Sequence, residues 1–178
     1  MPEYRSRDGK SRLIALTGRA GVGKSFAAKH LTQKGYYPVK FAGPLKNMLR
    51  ALGLNEREIE GDLKFEPCAL LGGKTPRWAM QSLGTEWGRN MIDKDLWLTA
   101  ARHSIEVMLP FHPVVVDDLR FPNEAVLIRQ LGGKIVRLYG KDAGLDQSHE
   151  SEKYDLPCDV EIFNDLGEGF IKALDDLI

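Results

Sequence analysis

The sequence predicts an α/β fold: a three-layer α/β/α sandwich around a mostly parallel sheet. Three observations predict it. Short β-branched or apolar runs alternate with amphipathic stretches along the chain. The segment Gly18-Arg19-Ala20-Gly21-Val22-Gly23-Lys24-Ser25 has the spacing Gly-x4-Gly-Lys-Ser and sits between one such run and a helix start. The run Pro113-Val114-Val115-Val116 ends in two acids, Asp117 and Asp118, as a buried parallel strand delivering a carboxylate would. Short, right-handed crossovers in such a sheet gather ligands at the strand C-termini.

The bulk numbers agree with one domain. The chain has 178 residues, enough for a hydrophobic core, and 43% of them are hydrophobic. Its 25 basic and 25 acidic side chains cancel, so net charge gives no long-range pull on nucleic acid, and stable nucleic-acid binding is not expected. The charge is uneven along the chain: residues 1–50 hold eleven basic and two acidic side chains, whereas 141–178 hold three and eleven. Cys68 and Cys158 are far apart, without metal-ligand spacing. No apolar stretch approaches 18 residues, and the N-terminus lacks the apolar core of a signal peptide, so a cytoplasmic protein without membrane contact is expected.

Residues 1–11 are polar and read as a flexible arm. Leu13-Ile14-Ala15-Leu16 is the first strand, and the glycine-rich loop follows it. In such a loop the backbone N–H groups of Gly18, Ala20, Gly21, Val22, Gly23, Lys24, Ser25 and Phe26 are candidates to cradle phosphates, helped by the helix dipole. Lys24 can reach the β- and γ-phosphates, and the Ser25 hydroxyl can ligate Mg²⁺. The helix runs to about Lys34 and stops at Gly35. Tyr36 to Phe41 reads as a second strand.

Pro44 suits the first turn of the next helix, whose apolar stripe is Leu45, Met48, Leu49 and Leu52. Lys46 and Arg50 share one flank of it, just past a strand end. Residues 54–75 are irregular and acidic. Thr75-Pro76 caps a helix expected over 77–90, with Trp78, Leu83 and Trp87 facing inward. Arg77, Gln81, Thr85 and Arg89 recur every four residues and so share one side, which is either a phosphate- and base-binding face or a solvated flank.

A helix over Leu98, Ala101, Ile105 and Leu109 leads to the Val114–116 strand. Asp117 is the main candidate for Mg²⁺ and Asp118 the alternate, since strand alternation alone does not choose between them. His103 and His112 have no metal partners at useful spacing. Arg120 follows on a loop, then a helix from Asn123-Glu124, a strand over Lys134 to Tyr139, a polar stretch 140–156, a short strand Asp159 to Phe163, and a closing helix.

Beyond the phosphate loop, five runs carry a family resemblance. They are Phe41-Ala42-Gly43-Pro44-Leu45-Lys46, Leu71-Gly72-Gly73-Lys74-Thr75-Pro76-Arg77, Gln81-Ser82-Leu83-Gly84-Thr85-Glu86-Trp87-Gly88-Arg89, Asp117-Asp118-Leu119-Arg120-Phe121-Pro122-Asn123-Glu124 and Ser148-His149-Glu150-Ser151-Glu152. Together the chain resembles the deoxynucleoside monophosphate kinases of tailed bacteriophages, within the P-loop nucleoside monophosphate kinase group. The resemblance implies one P-loop kinase domain over residues 1–178, a monophosphate-binding insertion at 54–98 and a mobile lid at 140–156. It implies ATP-dependent, Mg²⁺-assisted phosphorylation of a deoxynucleoside 5′-monophosphate. Lys24, Arg89, Arg120 and Asp117 are then the catalytic candidates, and Lys46, Arg77, Gln81, Glu86 and Arg89 the monophosphate-binding ones.

Arg137, His149 and Glu152 are lid candidates. The turn Ile162-Phe163-Asn164-Asp165 resembles one that flanks the base in dephospho-coenzyme A kinases, which makes Asn164 a base candidate. Two alternatives stay open: a kinase of another phosphorylated metabolite, such as phosphomevalonate or dephospho-coenzyme A, and a phage ATPase module for assembly or DNA packaging. Base specificity, sugar preference and homodimerisation are left open by the sequence.

Overall fold

The structure is a computed structural model that describes residues 11–140 and 156–178. The expected lid at 140–156, apart from its two end residues, and the arm at 1–11, apart from Ser11, lie outside the described residues, as do His149 and Glu152. The elements are β1 (Leu13–Thr17), α1 (Lys24–Gln33), β2 (Tyr37–Val39), α2 (Gly43–Ala51), α3 (Glu56–Ile59), α4 (Pro76–Gln81), a π-helix (Ser82–Ile92), α5 (Leu96–Met108), β3 (Val114–Val116), α6 (Pro122–Gln130), β4 (Lys134–Tyr139), β5 (Val160–Phe163) and α7 (Glu168–Asp175). They divide into two compact units, Met1–Lys40 with Arg102–Ile178, and Phe41–Ala101.

The first unit holds a five-stranded sheet in the order β2-β3-β1-β4-β5. Every pairing is parallel, so each connection must cross over the sheet. Register puts Ile14 opposite Val115 and Leu16 opposite Val136, and these side chains form one face with Leu138 and Ile162. Ala27, Ala28 and Leu31 of α1 and Phe170 and Leu174 of α7 pack on that face. Leu13, Ala15, Val116 and Ile135 point to the opposite face, against which α6 lies, and they too are buried. Burial on both faces is why these strands are continuous apolar runs rather than alternating ones.

β2 is shorter than the expected Tyr36 to Phe41 and has Pro38 at its centre. That is tolerated because β2 is an edge strand, whose outer N–H groups need no partner strand. β5 is the other edge. Its ladder with β4 is extended by Asp159, which accepts the Ile135 N–H through its carboxylate at 2.7 Å and donates its own N–H to the Ile135 carbonyl at 2.8 Å.

The second unit has its own core of Leu45, Leu49, Leu54, Ile59, Ala79, Met80 and Trp97. It contains the 54–98 stretch. Asn55 caps α3, accepting N–H bonds from Arg57 and Glu58, while the Glu58 carboxylate accepts the Asn55 N–H. Only half of the expected α2 stripe is inward: Leu45 and Leu49 are buried, whereas Met48 and Leu52 are exposed.

The helix expected over 77–90 is also corrected. It is α-helical only to Gln81 and then π-helical to Ile92. A π-helix closes its hydrogen bonds five residues apart instead of four, so it is wider and its side chains rotate off the α-helical faces. Trp78 is 50% exposed and Trp87 37%, so neither is the core indole. That place belongs to Trp97, which lies against Gly88 and donates from Nε1 to the Gly84 carbonyl at 2.7 Å.

Candidate functional site

The donor side is built where β1 meets α1. The loop between them has no side-chain cap at the helix start, and the first intrahelical bond is the Ala27 N–H to the Gly23 carbonyl at 2.9 Å. The N–H groups of the first helical turn therefore lie outside the helix ladder, at the positive end of its dipole. Gly23 has φ +96°. A Cβ there would meet the Asn164 amide nitrogen at 2.5 Å, so both backbone and space require glycine. Lys24 Nζ donates to the carbonyls of Gly18 at 2.5 Å and Arg19 at 2.7 Å, which holds the ammonium over the loop. Ser25 and Phe26 follow on the first exposed turn, with the Phe26 ring 6.0 Å from that of Phe170.

Asn164 is buried behind this loop. Its amide donates to the Val22 carbonyl at 3.0 Å, and its side-chain oxygen accepts the Leu166 N–H at 2.9 Å. The side chain expected near a base is thus turned onto the phosphate loop. Arg137 is likewise engaged within the β4–β5 edge, pairing with Glu161 at 2.9 Å and donating to the Leu156 carbonyl.

The acids after β3 differ in setting. Asp117 is 9% exposed and Asp118 half-buried. Lys40, directly after β2, places its Nζ 3.2 Å from Asp117 Oδ2. Asp117 Oδ1 is buried and has no hydrogen-bond partner among the described residues. Buried carboxylate oxygens are normally paired, so an orphan at a strand C-terminus fits an oxygen-seeking cation or its water. Among the described residues no group of three or more His, Cys, Asp or Glu side chains could enclose a metal. Mg²⁺ keeps much of its hydration and takes few protein ligands. Ser25 and Asp117 are the donors that fit it.

Arg120 lies on the exposed loop after β3. Glu124 fixes that loop from a buried position, accepting the N–H groups of Arg120 at 2.8 Å and Phe121 at 3.0 Å with one oxygen.

The second unit carries the acceptor candidates. Lys46 on α2 pairs with Glu60 at 2.7 Å. Arg77 is half-buried in the first turn of α4 and Gln81 is exposed at its end. Glu86, exposed, and Arg89, half-buried, are on the π-helix. Arg77, Gln81, Thr85 and Arg89 therefore do not form the single α-helical row that their spacing suggests. Lys74 lies over the exposed Trp78 ring, 5.3 Å from its centroid.

Sequence reasoning missed Lys40, Glu124 and the Trp97–Gly88 contact. Lys40 was hidden inside the strand expected over 36–41, and only the shorter β2, ending at Val39, puts it at a strand end. Trp97 had no signal, because its partner is a backbone surface.

No family model matches the chain. A protein of Acanthamoeba polyphaga mimivirus assigned as a deoxynucleotide monophosphate kinase is 32% identical over 154 residues, with 79% of this chain and 80% of the relative covered. The chain belongs to the deoxynucleotide monophosphate kinase family. The deoxynucleoside-5′-monophosphate kinase of Escherichia phage T5 is 39% identical to this kinase over 56 residues, which are 32% of this chain and 22% of the relative. In fold, the kinase is similar to the Mycobacterium tuberculosis APS kinase CysC solved with AMPPNP and APS. The TM-score is 0.53 at 15% identity, with 94% of this chain and 97% of that one covered. Among the described residues no helix of the kinase is long and apolar enough to cross a membrane.

Proposed function

We propose that this kinase transfers the γ-phosphoryl group of ATP to a deoxynucleoside 5′-monophosphate, with Mg²⁺, releasing ADP and the deoxynucleoside diphosphate. The family membership carries the reaction class. The loop at 18–25, with Lys24 held over it, supports the donor assignment.

An anionic oxygen of the acceptor phosphate attacks the γ-phosphorus. The bond from that phosphorus to the β–γ bridging oxygen breaks, and its electron pair leaves with ADP. The attacking oxygen carries no proton near neutral pH, so no strong general base is required. Alignment of two polyanions and compensation of their charge is the protein's work. Lys24 and the first-turn N–H groups of α1 hold the β- and γ-phosphates. Ser25 and Asp117, with Asp118 as the alternate, would hold Mg²⁺, which would offset charge on the phosphate oxygens. Arg120 and Arg89 stabilise charge on the transferring group. Lys46, Arg77, Gln81, Glu86 and Arg89 hold the monophosphate; planar guanidinium forks suit its oxygens.

Product analysis with a panel of deoxy- and ribonucleoside monophosphates, ATP and Mg²⁺ tests this. At least one deoxynucleoside diphosphate is expected, in step with ADP. Phosphorylation of phosphomevalonate or dephospho-coenzyme A alone overturns it, as does DNA- or protein-stimulated hydrolysis with no phosphorylated product.

A further inference from the structure

The first unit holds a cation to which the transfer reaction assigns no part. Lys40 is 34% exposed in its side chain and lies 3.2 Å from a carboxylate that is 9% exposed. It engages Oδ2, while Oδ1 of the same Asp117 is buried and has no hydrogen-bond partner among the described residues. A buried carboxylate is costly unless a cation or donors compensate it. Among the described residues the compensation reaches one of its two oxygens.

We infer that Lys40 is a placeholder cation: it neutralises Asp117 until Mg²⁺ arrives with ATP, and then yields the carboxylate to the metal. The inference rests on the metal role proposed for Asp117. A divalent ion beside Asp117 repels a nearby ammonium, and that repulsion is strong where water is scarce. The lysine charge rides on a flexible four-carbon stem, so it can move aside. Lys40 thus keeps Asp117 from opposing the ATP polyanion before the metal is present, at the cost of weakening capture of metal without nucleotide. It is a positioning residue, acting through Asp117.

The consequence has two parts with opposite signs. Loss of the charge in Lys40→Met exposes an uncompensated carboxylate. Mn²⁺ alone, followed by electron paramagnetic resonance, binds about tenfold more tightly. ATP in excess chelator, followed by calorimetry, binds about tenfold more weakly. MgATP stays closer to wild type, and Lys40→Arg, which keeps the charge, matches wild type in all three. A merely structural role weakens every binding event together. Lys40→Gln repeats the test if Lys40→Met does not fold.

Unchanged Mn²⁺ and metal-free ATP affinities overturn the inference, and so does loss of all three affinities in parallel. In an Asp117→Asn background the Lys40 substitution loses both effects; if they persist, the pair is not their source. If Asp117→Asn alone leaves Mn²⁺ and MgATP binding unaltered, the metal role of Asp117 fails and the inference with it, while the product assay still decides the proposed reaction separately.

Discussion

Asn164 and Val22, 142 residues apart, are joined by a 3.0 Å hydrogen bond from the side-chain amide of one to the backbone carbonyl of the other. The turn after β5 thereby supports the phosphate loop from behind.

Asn164→Ala removes that bond and the one from the Leu166 N–H. Loss of a buried hydrogen-bonding side chain costs about 1–3 kcal/mol. A lower melting temperature and several-fold weaker ATP binding are expected from thermal unfolding and calorimetry. Unchanged ATP affinity would show that the loop keeps its shape unaided.

Gly88 tests the wide helix. A Cβ there would sit 2.6 Å from the Trp97 ring, which is itself buried. Gly88→Ala should destabilise by about 1–3 kcal/mol through overpacking, read by chemical denaturation of the intact chain. A stability equal to wild type would mean that the indole has room to move.

Arg89 separates acceptor from donor. If it binds the monophosphate, Arg89→Ala raises the acceptor KM or lowers acceptor-dependent kcat by roughly 10–100-fold, the worth of a charge-assisted hydrogen bond. ATP binding in the absence of acceptor stays close to wild type. Steady-state kinetics varying each substrate checks this, and equal losses on both substrates would count against the assignment.

Acid sensitivity is expected at the β4–β5 edge. Burial pushes the Asp159 carboxyl up, but the Arg129 hydrogen bond and the Ile135 N–H pull it below the usual carboxylate range. A carboxylate with a depressed folded-state pKa contributes stability above its unfolded pKa, about 3.9, and that contribution is lost as pH falls through the folded value. Solvent screens this partly exposed pair, so Asp159→Asn costs about 0.5–1 kcal/mol at pH 7. The difference from wild type should shrink as the pH is lowered below about 4. Urea melts of both proteins at several pH values measure it; a constant difference would rule out the carboxylate as its source.

Much of the first unit was legible because its signals are local. A Gly-x4-Gly-Lys-Ser spacing between strand and helix is read from neighbours along the chain. The valine run at 114–116 could only be a strand buried on both faces. Lys134 to Tyr139 reads as a strand with the bounds that β4 has.

Partners distant in sequence decided the rest. The continuous α-helical spacing of Arg77, Gln81, Thr85 and Arg89 was plausible until the π-helix, seated on Trp97, rotated its second half. Lys40 meets Asp117 because the pairing of β2 with β3 brings the two strand ends together. Asn164 could be assigned to the phosphate loop only once β5 had been placed two strands from β1. Sequence by itself determined the periodicities and the phosphate-loop motif, because those are properties of neighbours along the chain. Tertiary structure alone decided long-range pairing and side-chain direction, because these depend on which distant atoms surround a given group.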